Sequence, residues 1–197
     1  MGKGRLMRSS IYIIYLCSFG ILLGQQLTFK ANTITTSADG AEDVHAIDMD
    51  NDGDIDVLSA SYLDDKIAWY ENNGSESFTA HTITTSADGA SKLFPIDLDK
   101  DGDMDVVSAS RNDAKINWYS NNGSQSFSTN TIVTGSSGEN TGADFVYPVD
   151  MDKDGDIDIL YSEISSKEIK WLNNNGSQSF SDNTIATNYS SFTAAAI

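Results

Sequence analysis

Fifteen aspartates in three nearly identical loops are the residues of this chain whose type and spacing could do chemistry. The loops read DMDNDGDID from Asp48, DLDKDGDMD from Asp97 and DMDKDGDID from Asp150. Aspartates at the first, third and fifth positions converge on one centre when the backbone curls, and glycine at the sixth position permits the sharp turn. Oxygen ligands at this spacing are typical of Ca²⁺, which takes six to eight of them at about 2.3–2.6 Å.

We predict that each loop binds one Ca²⁺. The seventh-position aspartate should ligate through its backbone carbonyl. The ninth should close the site, because the twelfth position (Ser59, Ser108 or Tyr161) lacks the bidentate acid of an EF-hand. The predicted metal ligands are Asp48, Asp50, Asp52, Asp54, Asp56, Asp97, Asp99, Asp101, Asp103, Asp105, Asp150, Asp152, Asp154, Asp156 and Asp158.

Two other interpretations of these loops are open: solvated acidic turns and a catalytic metal. Five carboxylates within nine residues repel one another without a cation, since two charges 4 Å apart interact by about 1 kcal/mol even in bulk water. A site saturated by protein oxygens has no open position for a substrate, unlike a hydrolytic centre. Mg²⁺ suits so many carboxylates in a flexible loop less well. The pattern therefore favours structural calcium.

The loops belong to an internal repeat. TITTSADGA occurs at 33–41 and again at 82–90, and a tryptophan recurs at Trp69, Trp118 and Trp171 with offsets of 49 and 53 residues. A period of about 50 with short β-rich segments is typical of propeller blades. No amphipathic run of period 3.6, which helical repeats require, is present.

Each unit is predicted to be a four-stranded meander. In the first unit, a strand over 44–47 precedes the aspartate loop, a second strand follows it, and a turn at 63–65 leads to the third strand, KIAWY. An Asn-Gly turn, a strong hairpin signal, precedes the fourth strand over 78–84. We therefore predict an all-β fold, a β-propeller of four-stranded antiparallel blades. The predicted divisions are an orphan outer strand at 25–34, blades at 35–84, 85–133 and 134–186, and the start of a further, truncated blade at 187–197.

Two prolines fit this arrangement. Pro95 and Pro148 occupy one repeat position, two residues before the first loop aspartate. Proline is tolerated on edge strands, so this position is predicted on the innermost strand of each blade. His45 stands where Phe94 and Tyr147 stand in the other units, which we interpret as a strand-packing position.

The N-terminus is predicted to be a secretory signal peptide over 1–24. Lys3, Arg5 and Arg8 are followed by an apolar run from Ile11 to Leu23, shorter than the ~20 residues of a membrane span. An uncleaved anchor is the alternative. The mature chain would be secreted, extracellular or at the cell surface, and it would have no cysteine, so no disulfide would stabilise it.

The charge excludes some partners. The chain has 29 Asp+Glu against 12 Lys+Arg, a formal net charge of −17. Nucleic acid needs Lys and Arg to replace its counterions, and an anionic membrane surface attracts basic residues, so neither is an expected partner.

The aspartate loops, the downstream segments from tryptophan to NGSxSF and the period of about 50 residues together resemble FG-GAP/VCBS repeats, the blades of integrin-α-like β-propellers. The resemblance implies a seven-bladed ring with calcium in the hairpins between first and second strands. The Phe-Gly and Gly-Ala-Pro signatures are poorly kept, so the bacterial VCBS-like branch fits better than integrins. It also implies that missing C-terminal sequence supplies the remaining blades.

The repeats differ mainly on one predicted rim, formed by the loops between strands 2 and 3 and between blades. This variable rim is the expected contact surface for an extracellular glycan or protein ligand, with candidate contacts Tyr62, Arg111, Asn112 and Glu163. We expect a binding or adhesion module and no enzyme, because no His/Ser/Asp set or nucleophilic cysteine is present. The alternatives are a propeller domain of a secreted polysaccharide-acting enzyme, with its catalytic residues outside this fragment, and a purely structural stalk.

Overall fold

The structure is a computed structural model that describes residues 30–138 and 142–188. The predicted signal peptide (1–24) lies outside these residues, as does all of the predicted truncated blade (187–197) except its first two residues. Every regular element in the described ranges is a strand. These ranges contain no helix that is long and apolar enough to cross a membrane. The chain divides after Thr33, and residues 30–33 have no regular structure.

Twelve strands from residue 41 onward form three sheets of four strands. The first sheet contains β1 (Ala41–Ile47), β2 (Asp56–Ser61), β3 (Lys66–Asn72) and β4 (Phe78–Thr84). The second contains β5 (Ala90–Ile96), β6 (Asp105–Ser110), β7 (Lys115–Asn121) and β8 (Phe127–Thr134). The third contains β9 (Ala143–Val149), β10 (Asp158–Glu163), β11 (Glu168–Asn174) and β12 (Phe180–Thr187).

Each sheet is an antiparallel meander in chain order, and the predicted fold class is confirmed. The aspartate loops connect the first and second strands, and the Asn-Gly turns connect the third and fourth. Pro95 and Pro148 lie on β5 and β9, which are edge strands of their sheets, so no ladder N–H is required of them on the open side. The first strands of successive sheets are neighbours, as β1 is to β5 and β5 is to β9.

The sheets pack face to face through the same positions of the repeat. Leu58, Ile67 and Trp69 of the first sheet form one core with Leu93 and Tyr119 of the second. Because side chains alternate across a strand, the opposite face of the second sheet is available to pack on the third. This second core lies between equivalent residues, among them Val107, Ile116, Trp118, Ile159 and Leu172. Burial of these faces is the main apolar contribution to folding.

One bulge recurs at the start of each first strand. Ala41 pairs with Ser61 and Asp43 pairs with Ala60, which leaves Glu42 as the extra residue. Ser91 and Asp144 are the extra residues at the same place in β5 and β9. A bulge bends the strand and re-aims a side chain, so these three side chains do not follow the alternation of their strands.

The outer strand predicted at 25–34 stays a prediction. Residues 30–34 carry no strand, and 25–29 lie outside the described residues. The physical reason is the lack of a pairing partner in the described chain, since each of the third strands β3, β7 and β11 already pairs with the fourth strand of its own sheet.

Candidate functional site

The three aspartate loops adopt one backbone conformation. The fourth-position residues Asn51, Lys100 and Lys153 have φ between 62° and 65°. The glycines that follow two residues later, including Gly53, have φ between 96° and 99°. An added Cβ at these glycines would meet no atom within 4 Å, so backbone conformation and not space requires glycine there.

The carboxylates of each loop satisfy the backbone of the same loop. Asp48 accepts hydrogen bonds from the N–H groups of Asp52 (3.1 Å, Oδ1) and Gly53 (3.0 Å, Oδ2). The N–H of Asp54 donates to Asp52 Oδ1 over 2.8 Å. In the other two loops the N–H of the sixth-position glycine likewise donates to the first aspartate, at 3.1 Å and 3.2 Å. These bonds hold the loop curled around its first aspartate.

The ninth-position aspartates tie the loops to the third strands. Asp56 is fully buried and accepts the N–H of Met49 at 3.0 Å and the N–H of Asn72 at 2.7 Å. Asp105 and Asp158 make the same two backbone bonds in their sheets. Each of these aspartates therefore fixes the loop against the end of its sheet.

Burial and neighbouring carboxylates raise the pKa of several loop aspartates. Burial raises the pKa of Asp105 to about 6, although N–H donors, including Trp118 Nε1 at 2.9 Å, oppose the shift. Burial and the charges of adjacent aspartates raise the pKa of Asp50 and Asp99 as well. The ionised loops thus carry an electrostatic cost, which a bound cation would offset.

Carboxylate oxygens converge in each loop, with one difference between the loops. In each loop, one oxygen from each of three aspartates lies within 4.8 Å of the others. The three groups are Asp48, Asp50 and Asp56; Asp97, Asp99 and Asp101; and Asp150, Asp152 and Asp158. The third member is thus the ninth-position residue in two loops and the fifth-position residue in the second.

This donor set fits Ca²⁺. Opposite ligands on one Ca²⁺ are separated by up to about 5 Å, twice the usual Ca–O distance, so a single ion can reach all three oxygens of a group. Asp150 Oδ1 is buried and has no hydrogen-bond partner among the described residues, as expected of an atom reserved for a cation.

The side chains at the seventh position lie against the Asn-Gly turns. Asp54 Oδ2 lies 2.5 Å from the place where a Cβ on Gly74 would stand, and Asp103 lies equally close to Gly123. The Asn-Gly turns therefore lie beside the aspartate loops. Asp156 has a further partner, Lys100 Nζ of the preceding loop, at 2.6 Å. We call this edge of the sheets the loop rim.

The opposite edge is the variable rim. There the loops between blades bond to the turns between second and third strands, as in Tyr62 N–H to Gly40 O (2.9 Å) and Arg111 N–H to Gly89 O (3.0 Å). Three of the predicted contact residues come together. The Arg111 guanidinium lies 5.8 Å from the centroid of the Tyr62 ring, and Tyr62 Oη donates to Asn112 Oδ1 over 3.1 Å.

Glu163, the fourth predicted contact residue, lies against Gly135, with its Oε1 2.6 Å from the place where a Cβ on that glycine would stand. It accepts a hydrogen bond from Ser166 Oγ at 3.1 Å and lies 3.9 Å from Lys170 Nζ. Lys170 also contacts Glu168 and Asp182, at 3.3 Å and 3.2 Å. Burial lowers the pKa of Lys170, but these carboxylates raise it more, so it remains charged.

The sequence pattern missed the acidic partners of Arg111. Glu42 Oε2 lies 2.7 Å from its Nη1, and Asp144 Oδ1 lies 2.5 Å from its Nε. Both carboxylates belong to bulged residues. The sequence of one strand alone gives no signal of a bulge. The polar residue that recurs at the start of all three first strands could have indicated one.

The fold and the loops define an all-β repeat protein built from β-propeller blades, each with one acidic loop. A family model described as FG-GAP-like repeat matches residues 48–108 and 97–161, which together exceed half of the chain. The chain belongs to the FG-GAP-like repeat family, and the resemblance stated from its sequence is confirmed.

A solved structure supports the same fold. The chain is similar to an Agrocybe aegerita lectin, described for its specific recognition of non-reducing terminal N-acetylglucosamine, with a TM-score of 0.51 and 16% identity. The similarity covers 74% of this chain and 39% of the lectin chain, so this chain spans about two fifths of the lectin. At this identity the similarity concerns the fold alone. No curated protein matches the chain significantly.

Proposed function

We propose that this protein is a secreted, calcium-stabilised β-propeller module that binds an extracellular glycan through its variable rim. The observation that carries the proposal is the contrast between the two rims. The loop rim repeats one acidic structure three times, whereas the variable rim brings together different side chains from different blades. Repetition suits a structural metal, and variation suits recognition.

Calcium is the cation that the loop rim fits best. Three converging carboxylate oxygens in each loop, the backbone carbonyl predicted as a ligand at the seventh position and water would complete a coordination shell of oxygens. Such a site holds two strands of a blade together, and it has no need of an open coordination position. Its role is therefore to stabilise the blade and not to catalyse a reaction.

The variable rim offers the groups that hydroxyl-rich ligands require. Tyr62, Asn112 and Asp88 form a hydrogen-bonded series, in which Asn112 Nδ2 donates to Asp88 Oδ1 at 3.0 Å. Amide, carboxylate and guanidinium groups beside an aromatic ring can orient a sugar. A glycan is preferred to a protein ligand because the structurally similar lectin is described as recognising a sugar.

The test is binding of the full chain to a glycan array in about 1 mM Ca²⁺ and again in EDTA. We expect selective binding that Asn112→Ala abolishes or weakens at least severalfold. Asn130→Ala is the matched control, because Asn130 lies exposed on the outer strand β8 and its side-chain amide donates to the nearby carbonyl of Ser128. The proposed function would be ruled out if the chain bound no glycan on the array, or if both variants lost binding equally.

A further inference from the structure

The inner strands carry a row of half-exposed side chains that the proposed rim site does not use. On β5, Leu93 is 1% exposed and packs between the sheets, whereas its neighbour Phe94 is only half-buried. The same alternation on β9 buries Val146 and leaves Tyr147 half-buried. The first strands are the inner edges of neighbouring sheets. The half-buried residues of these strands therefore line the side that the sheets share along the propeller axis. We call the row of Asp43, His45, Lys92, Phe94, Phe145 and Tyr147 the axial wall.

Aromatic rings run continuously along this wall across three blades. The His45 and Phe94 rings are 5.2 Å apart between centroids, and the Phe94 and Tyr147 rings are 5.4 Å apart. Phe145 and Tyr147 lie 6.3 Å apart with planes only 9° from parallel. The His45 side chain remains 30% exposed. The row is therefore a rigid apolar surface that solvent still reaches.

A polar pair borders the aromatic row on the side of the variable rim. Lys92 Nζ lies 3.1 Å from Asp43 Oδ1, and Asp43 Oδ2 accepts the N–H of Leu93 at 3.1 Å. Burial would raise the pKa of Asp43, but bonds from His45, Leu93 and Lys92 together hold it below its ordinary value. The carboxylate is thus ionised and fixed beside a lysine that is 38% exposed. An aromatic surface with a few fixed polar groups is the usual chemistry of a small-ligand site.

The charge of the chain selects among ligands for such a surface. The cation at the wall, Lys92, is already paired with Asp43, and the chain as a whole has a formal net charge of −17. This field repels anions. The apolar C–H face of a pyranose can lie on aromatic rings while its hydroxyl groups bond to the lysine and the carboxylate.

We infer that the axial wall is a binding site for a neutral saccharide, with Phe94 and Tyr147 as its stacking surface and Lys92 with Asp43 as its polar contacts. The inference rests on the proposed glycan-binding function and places the principal contacts on the inner strands, next to the variable rim. His45, Phe94 and Tyr147 then have a role beyond packing the strands.

The experiment measures the dissociation constant of the full chain for the best neutral glycan of the array by titration calorimetry in Ca²⁺. Phe94→Leu keeps an apolar side chain but removes the aromatic face, and we expect it to weaken binding about tenfold. Phe127→Leu is the matched control, because Phe127 is also half-buried but lies on the outer strand β8. We expect it to leave the dissociation constant unchanged. Thermal unfolding of both variants checks that they fold.

Hydrogen exchange on the unmodified protein provides a second measurement if Phe94→Leu does not fold. The glycan should slow exchange of backbone amides in β5 and β9 more than in the turn after β6. A glycan that binds normally to folded Phe94→Leu, or that protects only the turn, would overturn the axial site and leave the proposed function intact. Selective binding of anionic glycans would also overturn it, whereas failure of the unmodified protein to bind any glycan would refute the proposed function itself.

Discussion

Arg111 Nε lies 2.5 Å from Asp144 Oδ1 and joins the turn after β6 in the second sheet to the first strand of the third. The same guanidinium contacts Glu42 on the first strand of the first sheet. Glu42 and Asp144 are both bulged residues, and the bulges aim their carboxylates at the one arginine between them. A single cation therefore connects three blades at the variable rim.

Replacement of this arginine should destabilise the fold. Arg111→Met keeps much of the apolar stem but leaves two partly buried carboxylates without their donor, and we expect a loss of roughly 1–3 kcal/mol in the free energy of unfolding. Arg111→Lys should recover only part of the loss, since an ammonium group cannot reproduce the fork of donors. Urea denaturation measures both. In a Glu42→Gln, Asp144→Asn background, Arg111→Met should cost clearly less, and an equal cost would show that the ion pairs do not contribute.

The tryptophans of the repeat should differ in their contribution to stability. Trp118 Nε1 donates to the buried Asp105 over 2.9 Å, whereas Trp69 Nε1 is buried without a partner among the described residues. Trp118→Phe should therefore cost about 1.5–3 kcal/mol more than Trp69→Phe, because it removes a hydrogen bond to a charged group. Chemical denaturation of the two variants gives the difference. Equal losses would mean that ring packing alone determines the effect.

Much of this fold could be predicted because it depends on local patterns that repeat. The aspartate loops, the Asn-Gly turns and the prolines at Pro95 and Pro148 each fix a turn or an edge within a few residues of sequence. The strand order of each sheet follows from these short connections.

What could not be predicted depends on how the sheets pack. The contact of Arg111 with Glu42 and Asp144 spans residues 42–144 and requires two bulges. The converging groups of the first and third loops contain Asp56 and Asp158 in place of the predicted fifth-position aspartates, a difference that the spacing alone does not determine. The strand predicted at 25–34 rests on sequence similarity to later units and stays a prediction, since a strand forms only where another strand is present to pair with it.

The stability contribution of Asp43 should depend on pH. Its pKa is lowered in the folded state, so its contribution is present above the unfolded value near 3.8 and is lost as the pH falls through the folded value. The titratable groups that face it are His45 and Lys92. Asp43→Asn should cost roughly 1.5 kcal/mol at pH 5 and progressively less below pH 4. Urea denaturation at four pH values tests this, and a cost independent of pH would contradict it.

Removal of calcium should lower the melting temperature by several degrees. At about 1 mM Ca²⁺ and a Kd of about 10⁻⁴ M, each site adds about 1.4 kcal/mol to the folded state. The effect of Asp99→Asn on stability should have opposite signs with and without the metal. Burial raises the pKa of Asp99, so loss of its charge should stabilise the metal-free chain at neutral pH and destabilise the chain in Ca²⁺. Calorimetric melts of both proteins in EDTA, Ca²⁺ and Mg²⁺ make the comparison. Melts of the unmodified protein that are identical in EDTA and in Ca²⁺ would exclude a structural calcium.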